Sequence, residues 1–167
     1  MRIPIVDEND NFLYLKDRSE RDNRKEITRS AGIWVVNEKG EWLLAKRSKH
    51  QKSFPNVWGP SAAGTLEEGE TYKSNIIKEA KEEIGVDLKN VVLGPKERQS
   101  DNHEFFAQYF FAQVPSDTKF TLQESEVGEV RWATLAEIKE WYTLKPDEFL
   151  PNFVNNFKII EDYANKN

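Results

Sequence analysis

The segment from Gly64 to Val86, GTLEEGETYKSNIIKEAKEEIGV, constrains the fold of this chain more than any other part of it. A loop with glycines leads into a predicted helix, because Thr71 is a good N-cap and Gly85 a typical helix end. At ~100° per residue, aliphatic side chains fall on one side of this helix and charged ones on the other. The aliphatic set is Ile76, Ile77, Ala80 and Ile84, and the charged set is Lys78, Glu79, Glu82 and Glu83.

This crowding of carboxylates has two interpretations. The simpler one is an acidic helix face that faces solvent. However, like charges three and four residues apart repel by ~0.2–0.5 kcal/mol per pair, and Lys78 and Lys81 offset only part of that. A hard dication would remove the repulsion, and Mg²⁺ favours carboxylate oxygens beside a phosphate-bearing ligand. The pattern therefore favours a metal site, with the solvated face as the alternative.

Composition limits the other classes of function. The 167 residues, 38% of them hydrophobic, are the size of a single domain, and we expect one domain over residues 1–167 with a hairpin at about 1–20 as an appendage. The absence of cysteine excludes disulfides and thiolate chemistry. The net charge of -5 argues against binding to a nucleic-acid polymer or an anionic membrane. We expect a cytoplasmic protein and leave a homodimer open.

Alternation and turn residues predict the remaining elements. Hairpins are expected from Ile3–Val6 with Phe12–Leu15, and from Ile33–Val36 with Trp42–Ala45; the charged stretch DRSERDNRKE between them is expected to be solvated. Further strands are expected at Phe105–Val114 and Glu129–Trp132, followed by a helix at Leu135–Tyr142 after a Thr134 cap. A final amphipathic helix is predicted from apolar residues spaced three and four apart, which are Phe149, Phe153, Phe157, Ile160 and Tyr163.

The glutamate segment resembles the signature of the Nudix hydrolases, G-x5-E-x7-R-E-U-x-E-E-x-G-U, where U is aliphatic. The matching positions are Gly64, Glu70, Glu79, Ala80, Glu82, Glu83, Gly85 and Val86. The departure is Lys78, where the family has arginine. This resemblance implies an α/β fold, an α/β/α sandwich with a mixed β-sheet between helices.

The resemblance also implies roles for individual residues. Glu79, Glu82 and Glu83 would bind Mg²⁺, or Mn²⁺ in its place, Gly64 would lend its carbonyl, and Glu79 would also orient or deprotonate water. Lys78 would pair with Glu70 and brace the loop against the helix. That brace should be weaker than in the family, because an ammonium cannot form the two parallel hydrogen bonds of a guanidinium.

A second resemblance lies in Lys46–Gly64, KRSKHQKSFPNVWGPSAAG, which is similar to the active-site region of isopentenyl diphosphate isomerases. It implies that Arg47 and Lys52 bind the diphosphate; the alternative is that they are ordinary surface cations. The isomerase cysteine and a metal-binding histidine fall on Ala63 and Thr65, so the proton-transfer chemistry of the isomerases is missing. Trp58 is expected to be a core residue, with stacking on a base as the alternative.

Outside these segments we single out one further residue. Family members often place an additional glutamate, for metal or water activation, before the strand that contains Trp132. Of Glu124, Glu126 and Glu129 we choose Glu126 as catalytic, with an acidic surface loop as the alternative. His50 and His103 have no partner at metal-ligand spacing and receive no role.

The expected function is a Mg²⁺-dependent hydrolase that cleaves a diphosphate linkage in a nucleoside diphosphate derivative or a related small organic diphosphate. One alternative is a nucleotide-binding or regulatory module without turnover, and another is an isomerase-like enzyme. Neither the leaving group nor the general base follows from the sequence.

Overall fold

The computed structural model describes all 167 residues, which form nine strands and three helices. The strands are β1 (Arg2–Val6), β2 (Phe12–Asp17), β3 (Ile27–Val36), β4 (Glu41–Arg47), β5 (Trp58–Gly59), β6 (Ala62–Thr65), β7 (Val92–Ser100), β8 (Glu104–Gln113) and β9 (Val127–Thr134). The helices are α1 (Tyr72–Ile84), α2 (Leu135–Leu144) and α3 (Phe153–Lys166), with short 3₁₀ turns at Arg18–Glu20 and Pro146–Glu148.

Strand β3 is the centre of a single mixed sheet. It pairs in parallel with β8 along its whole length, from Ile27 opposite Glu104 to Val36 opposite Gln113. It also pairs antiparallel with β1, β4 and β6, while β2, β5, β7 and β9 extend the sheet from these neighbours. The N-terminal hairpin joins the sheet through the pairing of Val6 with Ile27.

The alternation of β3 supplies two separate cores. Ile33 and Val35 point into a cluster that contains Ile76, Ala80 and Ile84 of α1. Trp34, on the opposite face, packs edge-on against Phe153 of α3 with ring centroids 6.2 Å apart, in a cluster that also contains Ile138 of α2. The sheet therefore lies between helices, which confirms the predicted α/β/α sandwich.

The residues predicted to cap and end the helices do so in the structure. Thr71 caps α1 by accepting a hydrogen bond from Ser74 N at 3.0 Å, and Gly85 ends it with a φ of 73°. Thr134 caps α2 through Glu137 N at 3.2 Å. Both predicted hairpins are present, and Trp58 is buried as predicted.

Three expectations were wrong in detail. The last helix begins at Phe153 rather than Phe149, because Pro151 interrupts the pattern and Phe149 instead bridges to Trp58 in extended conformation. The charged stretch is not wholly solvated, since Glu26 is buried and accepts hydrogen bonds from Lys16, at 2.8 and 3.0 Å, and from Tyr14 at 2.7 Å. Ile77 is only partly buried.

Candidate active site

Two glutamates of α1 turn toward the sheet, and the third faces solvent. Glu83 is 8% exposed, and the side chain of Glu79, one helical turn earlier, is 16% exposed. Glu82 is exposed. The sequence placed all three on one face. The structure divides them because β6 covers only the side of α1 that carries Glu79 and Glu83.

Close contact between β6 and α1 defines the position of both buried carboxylates. A Cβ added to Gly64 would lie 2.5 Å from Glu79 Cδ, so only glycine permits this approach. One residue earlier, Ala63 N donates a hydrogen bond of 3.0 Å to Glu83 Oε2. The backbone of β6 therefore lies directly against the two acids.

Burial raises the pKa of both acids. It raises the pKa of Glu83 to about 8, with Glu79 and Glu126 adding to the shift and the Ala63 hydrogen bond and Arg47 opposing it. It raises the pKa of Glu79 to about 6, where Lys78 opposes the shift and Glu82 adds to it. A bound cation would favour the ionised form of both groups.

The predicted contact between Lys78 and Glu70 is present. Lys78 Nζ lies 2.5 Å from Glu70 Oε1 and 3.5 Å from Glu79 Oε1. The other oxygen of Glu70 accepts hydrogen bonds from Glu67 N at 2.8 Å and from Asn75 Nδ2 at 2.9 Å. The loop after β6 is thus bound to α1 through both oxygens of one carboxylate.

Asn75 was missed by the sequence analysis. It is fully buried and donates to Glu70, to Thr65 O at 3.2 Å and to Glu79 Oε1 at 3.4 Å. It therefore links the loop, β6 and the predicted metal-binding acid. Its position one helical turn before Glu79 was the available signal, since residues four apart share a helix face.

Arg47 lies behind the loop that follows β4. Its Nε donates to Ser53 O and Phe54 O, both at 3.1 Å, and its Nη2 donates to Ser53 O at 2.9 Å. These donors therefore hold the loop, while its charge acts on Glu83. Lys52, on the same loop, is exposed. Substrate binding by Arg47 and Lys52 stays a prediction.

Among the three acidic candidates after α1, Glu126 is the one whose charge reaches the site. It raises the pKa of Glu83 and favours the charged form of Arg47, and its carboxylate accepts a hydrogen bond from Gln51 Nε2. Glu129 instead lies opposite Lys46 in the antiparallel pairing of β9 with β4. Glu124 is exposed and is not among the main charges that act on Glu83 or Arg47. The catalytic role of Glu126 stays a prediction.

The donor set fits a hard divalent cation, although no three Asp, Glu or His side chains converge at coordinating distances. Glu83 is buried and Glu79 mostly buried against the backbone of β6, and two such carboxylates are unfavourable as charges without a counter-ion. Carboxylate and carbonyl oxygens are the ligands that Mg²⁺ accepts. The residues that would hold it are Gly64, Glu79, Glu82 and Glu83.

The family model described as the NUDIX domain matches residues 26–153, which is most of the chain. This chain belongs to the Nudix family. An uncharacterized Nudix hydrolase of Listeria innocua is 34% identical over 130 residues, covering 74% of this chain and 72% of that protein. The predicted enzyme class, a Nudix pyrophosphohydrolase, is confirmed at the level of the family.

Two further comparisons bear on fold and activity. A prenyl-diphosphate phosphatase of Methanosarcina mazei is 29% identical over 153 residues, covering 89% of this chain and 88% of that protein. A crystal structure of a Deinococcus radiodurans protein superimposes with a TM-score of 0.78 at 19% identity, covering 95% of this chain and 98% of the other. The latter shows that the two chains share a fold.

The second resemblance is also confirmed, since isopentenyl-diphosphate isomerases are 25–27% identical to this Nudix chain. Ala63, at the position of their cysteine, is exposed directly beside Glu83 and offers only its backbone N–H there. Thr65, at the position of their histidine, accepts a hydrogen bond from Asn75 Nδ2 at its carbonyl oxygen.

No helix of the structure combines the length and apolar character needed to span a membrane.

Proposed function

We propose that this protein is a Mg²⁺-dependent hydrolase that cleaves a diphosphate linkage in a nucleoside diphosphate derivative or a related small organic diphosphate. The observation that carries the proposal is a pair of acids one helical turn apart, Glu79 and Glu83, which lie largely out of solvent against the backbone of Gly64 and Ala63. As charges, two such acids are unfavourable in this position, and a bound cation would neutralise them.

When bound, Mg²⁺, or Mn²⁺ in its place, would supply charge neutralisation at the phosphate oxygens and lower the pKa of an attacking water. Glu79 orients that water and accepts its proton, and its position is fixed by Asn75 at 3.4 Å and Lys78 at 3.5 Å. Glu126, whose charge raises the pKa of Glu83, is a second base. The products are two phosphorylated fragments, or one fragment and inorganic phosphate.

Lys52 neutralises the diphosphate of the substrate, and Arg47 positions the loop that carries Lys52. This division follows from the hydrogen bonds, because the Nε and Nη2 donors of Arg47 are already bound to Gln51, Ser53 and Phe54. Lys52 is exposed and forms no salt bridge, so its ammonium is available to an anion.

A panel of organic diphosphates with product analysis tests the proposal. Phosphate or monophosphate release should require Mg²⁺ or Mn²⁺ and should fall by more than about 100-fold in Glu79→Gln and Glu83→Gln. Glu126→Gln should lower kcat, whereas Glu124→Gln, an exposed residue of the same loop, should match wild type. Metal-independent turnover, or wild-type turnover in Glu83→Gln, would reject the metal assignment.

The panel should include dimethylallyl diphosphate, because the Methanosarcina relative is named a prenyl-diphosphate phosphatase. It also decides between an enzyme and a binding module without turnover, since only the enzyme releases phosphate.

A further inference from the structure

A polar cavity of about 580 Å³ opens beside the acidic site. Its walls come from the turn after β2, the loop after β4, and the loop between β7 and β8, with Arg18, Arg21, Lys52, Asn102 and His103 among the lining residues. Thr65 also lines it, and Thr65 directly follows Gly64, whose Cα lies against Glu79. A group joined to a diphosphate at the acidic site therefore reaches this cavity.

The cavity carries cations that lack anionic partners. Arg18, Arg21 and Lys52 form no salt bridge with any carboxylate. The Nε of Arg21 is buried without an acceptor, and its Nη2 donates to Glu104 O at 3.3 Å. A buried guanidinium donor without an acceptor is costly, and an anion bound in the cavity would bring acceptor oxygens to this guanidinium.

The basic side chains of the cavity also repel one another. Burial and the charge of Arg18 lower the pKa of Arg21, against the pull of Glu26, Asp101 and Glu104. Burial, together with the charges of Arg21 and Arg18, also lowers the pKa of His103, against the pull of Asp101. The carboxylate in the lining, Asp17, is held by hydrogen bonds from Ser19 N at 2.9 Å and Ser19 Oγ at 2.6 Å, and by the N-terminal amine at 3.3 Å.

The lining opposes an apolar chain. Met1 is the only hydrophobic residue of the lining, so a prenyl group placed in the cavity would gain few apolar contacts. The arginines would lose their hydrating water to such a group and would gain no hydrogen-bond acceptor in return. A phosphate monoester offers three acceptor oxygens, and paired guanidiniums bind phosphate in parallel hydrogen bonds.

We propose that this cavity binds a second phosphate group of the substrate, carried on a polar moiety such as a sugar, and that Arg18 and Arg21 are its specificity-determining residues. This inference rests on the proposed function, because it assigns the part of the substrate beyond the scissile diphosphate. Arg18 and Arg21 precede the family match at residues 26–153, so they lie outside the segment that carries the Nudix signature.

Kinetics with two diphosphates test the inference. The probes are 5-phosphoribosyl 1-diphosphate, which carries a distal phosphate, and dimethylallyl diphosphate, which does not. Arg18→Gln and Arg21→Gln should each lower kcat/KM for the first by roughly 10- to 100-fold, the range of a charge-assisted hydrogen bond. For the second, kcat/KM should stay within about twofold. Arg24→Gln, an exposed cation of the same segment outside the cavity, should match wild type for both.

A wild-type preference for dimethylallyl diphosphate, or equal losses on both substrates, would overturn the inference. Binding of ribose 5-phosphate, measured by calorimetry in chelator, separates it from the proposed function. If no diphosphate is hydrolysed but ribose 5-phosphate binds wild type and binds Arg21→Gln at least about tenfold more weakly, the cavity assignment stands and the hydrolase proposal fails. If hydrolysis is absent and ribose 5-phosphate does not bind, both fail.

Discussion

Removing the charge of Glu83 should make the metal-free protein more stable at alkaline pH and less stable at acidic pH. Burial raises the pKa of this carboxyl to about 8 from an ordinary 4.5. The folded protein therefore holds this proton more tightly than the unfolded chain does. The contribution is favourable below about 4.5 and is lost as pH rises toward about 8. At about 1.36 kcal/mol per pKa unit, the ceiling on this loss is ~4–5 kcal/mol.

The substitution Glu83→Gln has a cost that does not depend on pH. Its amide oxygen can still accept the 3.0 Å hydrogen bond from Ala63 N, but its buried amide N–H groups gain no acceptor. An unpaired buried donor costs ~1–3 kcal/mol. We therefore expect Glu83→Gln to be ~1–3 kcal/mol less stable than wild type at pH 5, and equally stable or more stable by up to ~3 kcal/mol at pH 8.

Urea unfolding in chelator at the two pH values measures this reversal. Glu82→Gln is the matched control, because Glu82 is exposed on the same helix, and it should stay within ~0.5 kcal/mol of wild type at both. Saturating Mg²⁺ at pH 8 should raise the stability of wild type and not that of Glu83→Gln. A difference between Glu83→Gln and wild type that is the same at pH 5 and pH 8 would refute the reasoning.

Three further predictions follow from single contacts. Lys78→Ala should cost ~1–3 kcal/mol, because Glu70 Oε1 loses its partner at 2.5 Å, whereas Lys78→Arg should be neutral or stabilising. A double-mutant cycle of Lys78→Ala with Glu70→Gln, measured by urea unfolding, would contradict the ion pair if it showed no coupling energy. Glu26→Gln should cost ~1–3 kcal/mol at pH 7. Hydrogen bonds from Lys16, Asp22 N and Tyr14 outweigh burial and lower the pKa of Glu26 to about 2. The deficit should therefore shrink as pH falls from about 4.5 toward about 2, and a pH-independent deficit would argue against the pairing. Gly64→Ala should lower kcat/KM by about 100-fold, because the new Cβ would lie 2.5 Å from Glu79 Cδ and would push that side chain away. The control in the turnover assays is Gly128→Ala, whose new Cβ would have no atom nearer than 3.8 Å.

The parts of the fold that sequence predicted are those with local causes. Helix α1 has a side-chain cap at Thr71, a left-handed end at Gly85 and a regular aliphatic spacing, and each signal operates within a few residues. The two hairpins were predictable for the same reason, because a turn and the alternating strands beside it are local sequence signals. The brace between Lys78 and Glu70 was predictable by resemblance to the family, since its two residues lie eight positions apart in one motif.

The missed elements have causes that lie elsewhere in the chain. Strand β7 contains Gly94 and Pro95, has a register shift between Leu93 and Lys96, and is paired on one side only, so its sequence lacks regular alternation. Strand β6, Ala62–Thr65, is made of small residues that pair with β3 and carry no alternating pattern. Similarly, Glu82 and Glu83 are neighbours in sequence, and only the position of β6 makes one exposed and the other buried.

The two charge systems of the site belong to different parts of the chain, and this separates chemistry from specificity. The carboxylates Glu79 and Glu83 lie on α1, within the family match, where Gly64 and Asn75 contact Glu79 and Ala63 N binds Glu83. Arg18 and Arg21 lie on the turn after β2, before that match begins. Changes in the N-terminal hairpin can therefore alter the accepted leaving group while the contacts that orient the buried acids stay intact. Replacing the cations of the turn should consequently change the ratio of kcat/KM between substrates, whereas replacing the acids of α1 should lower kcat/KM for all of them.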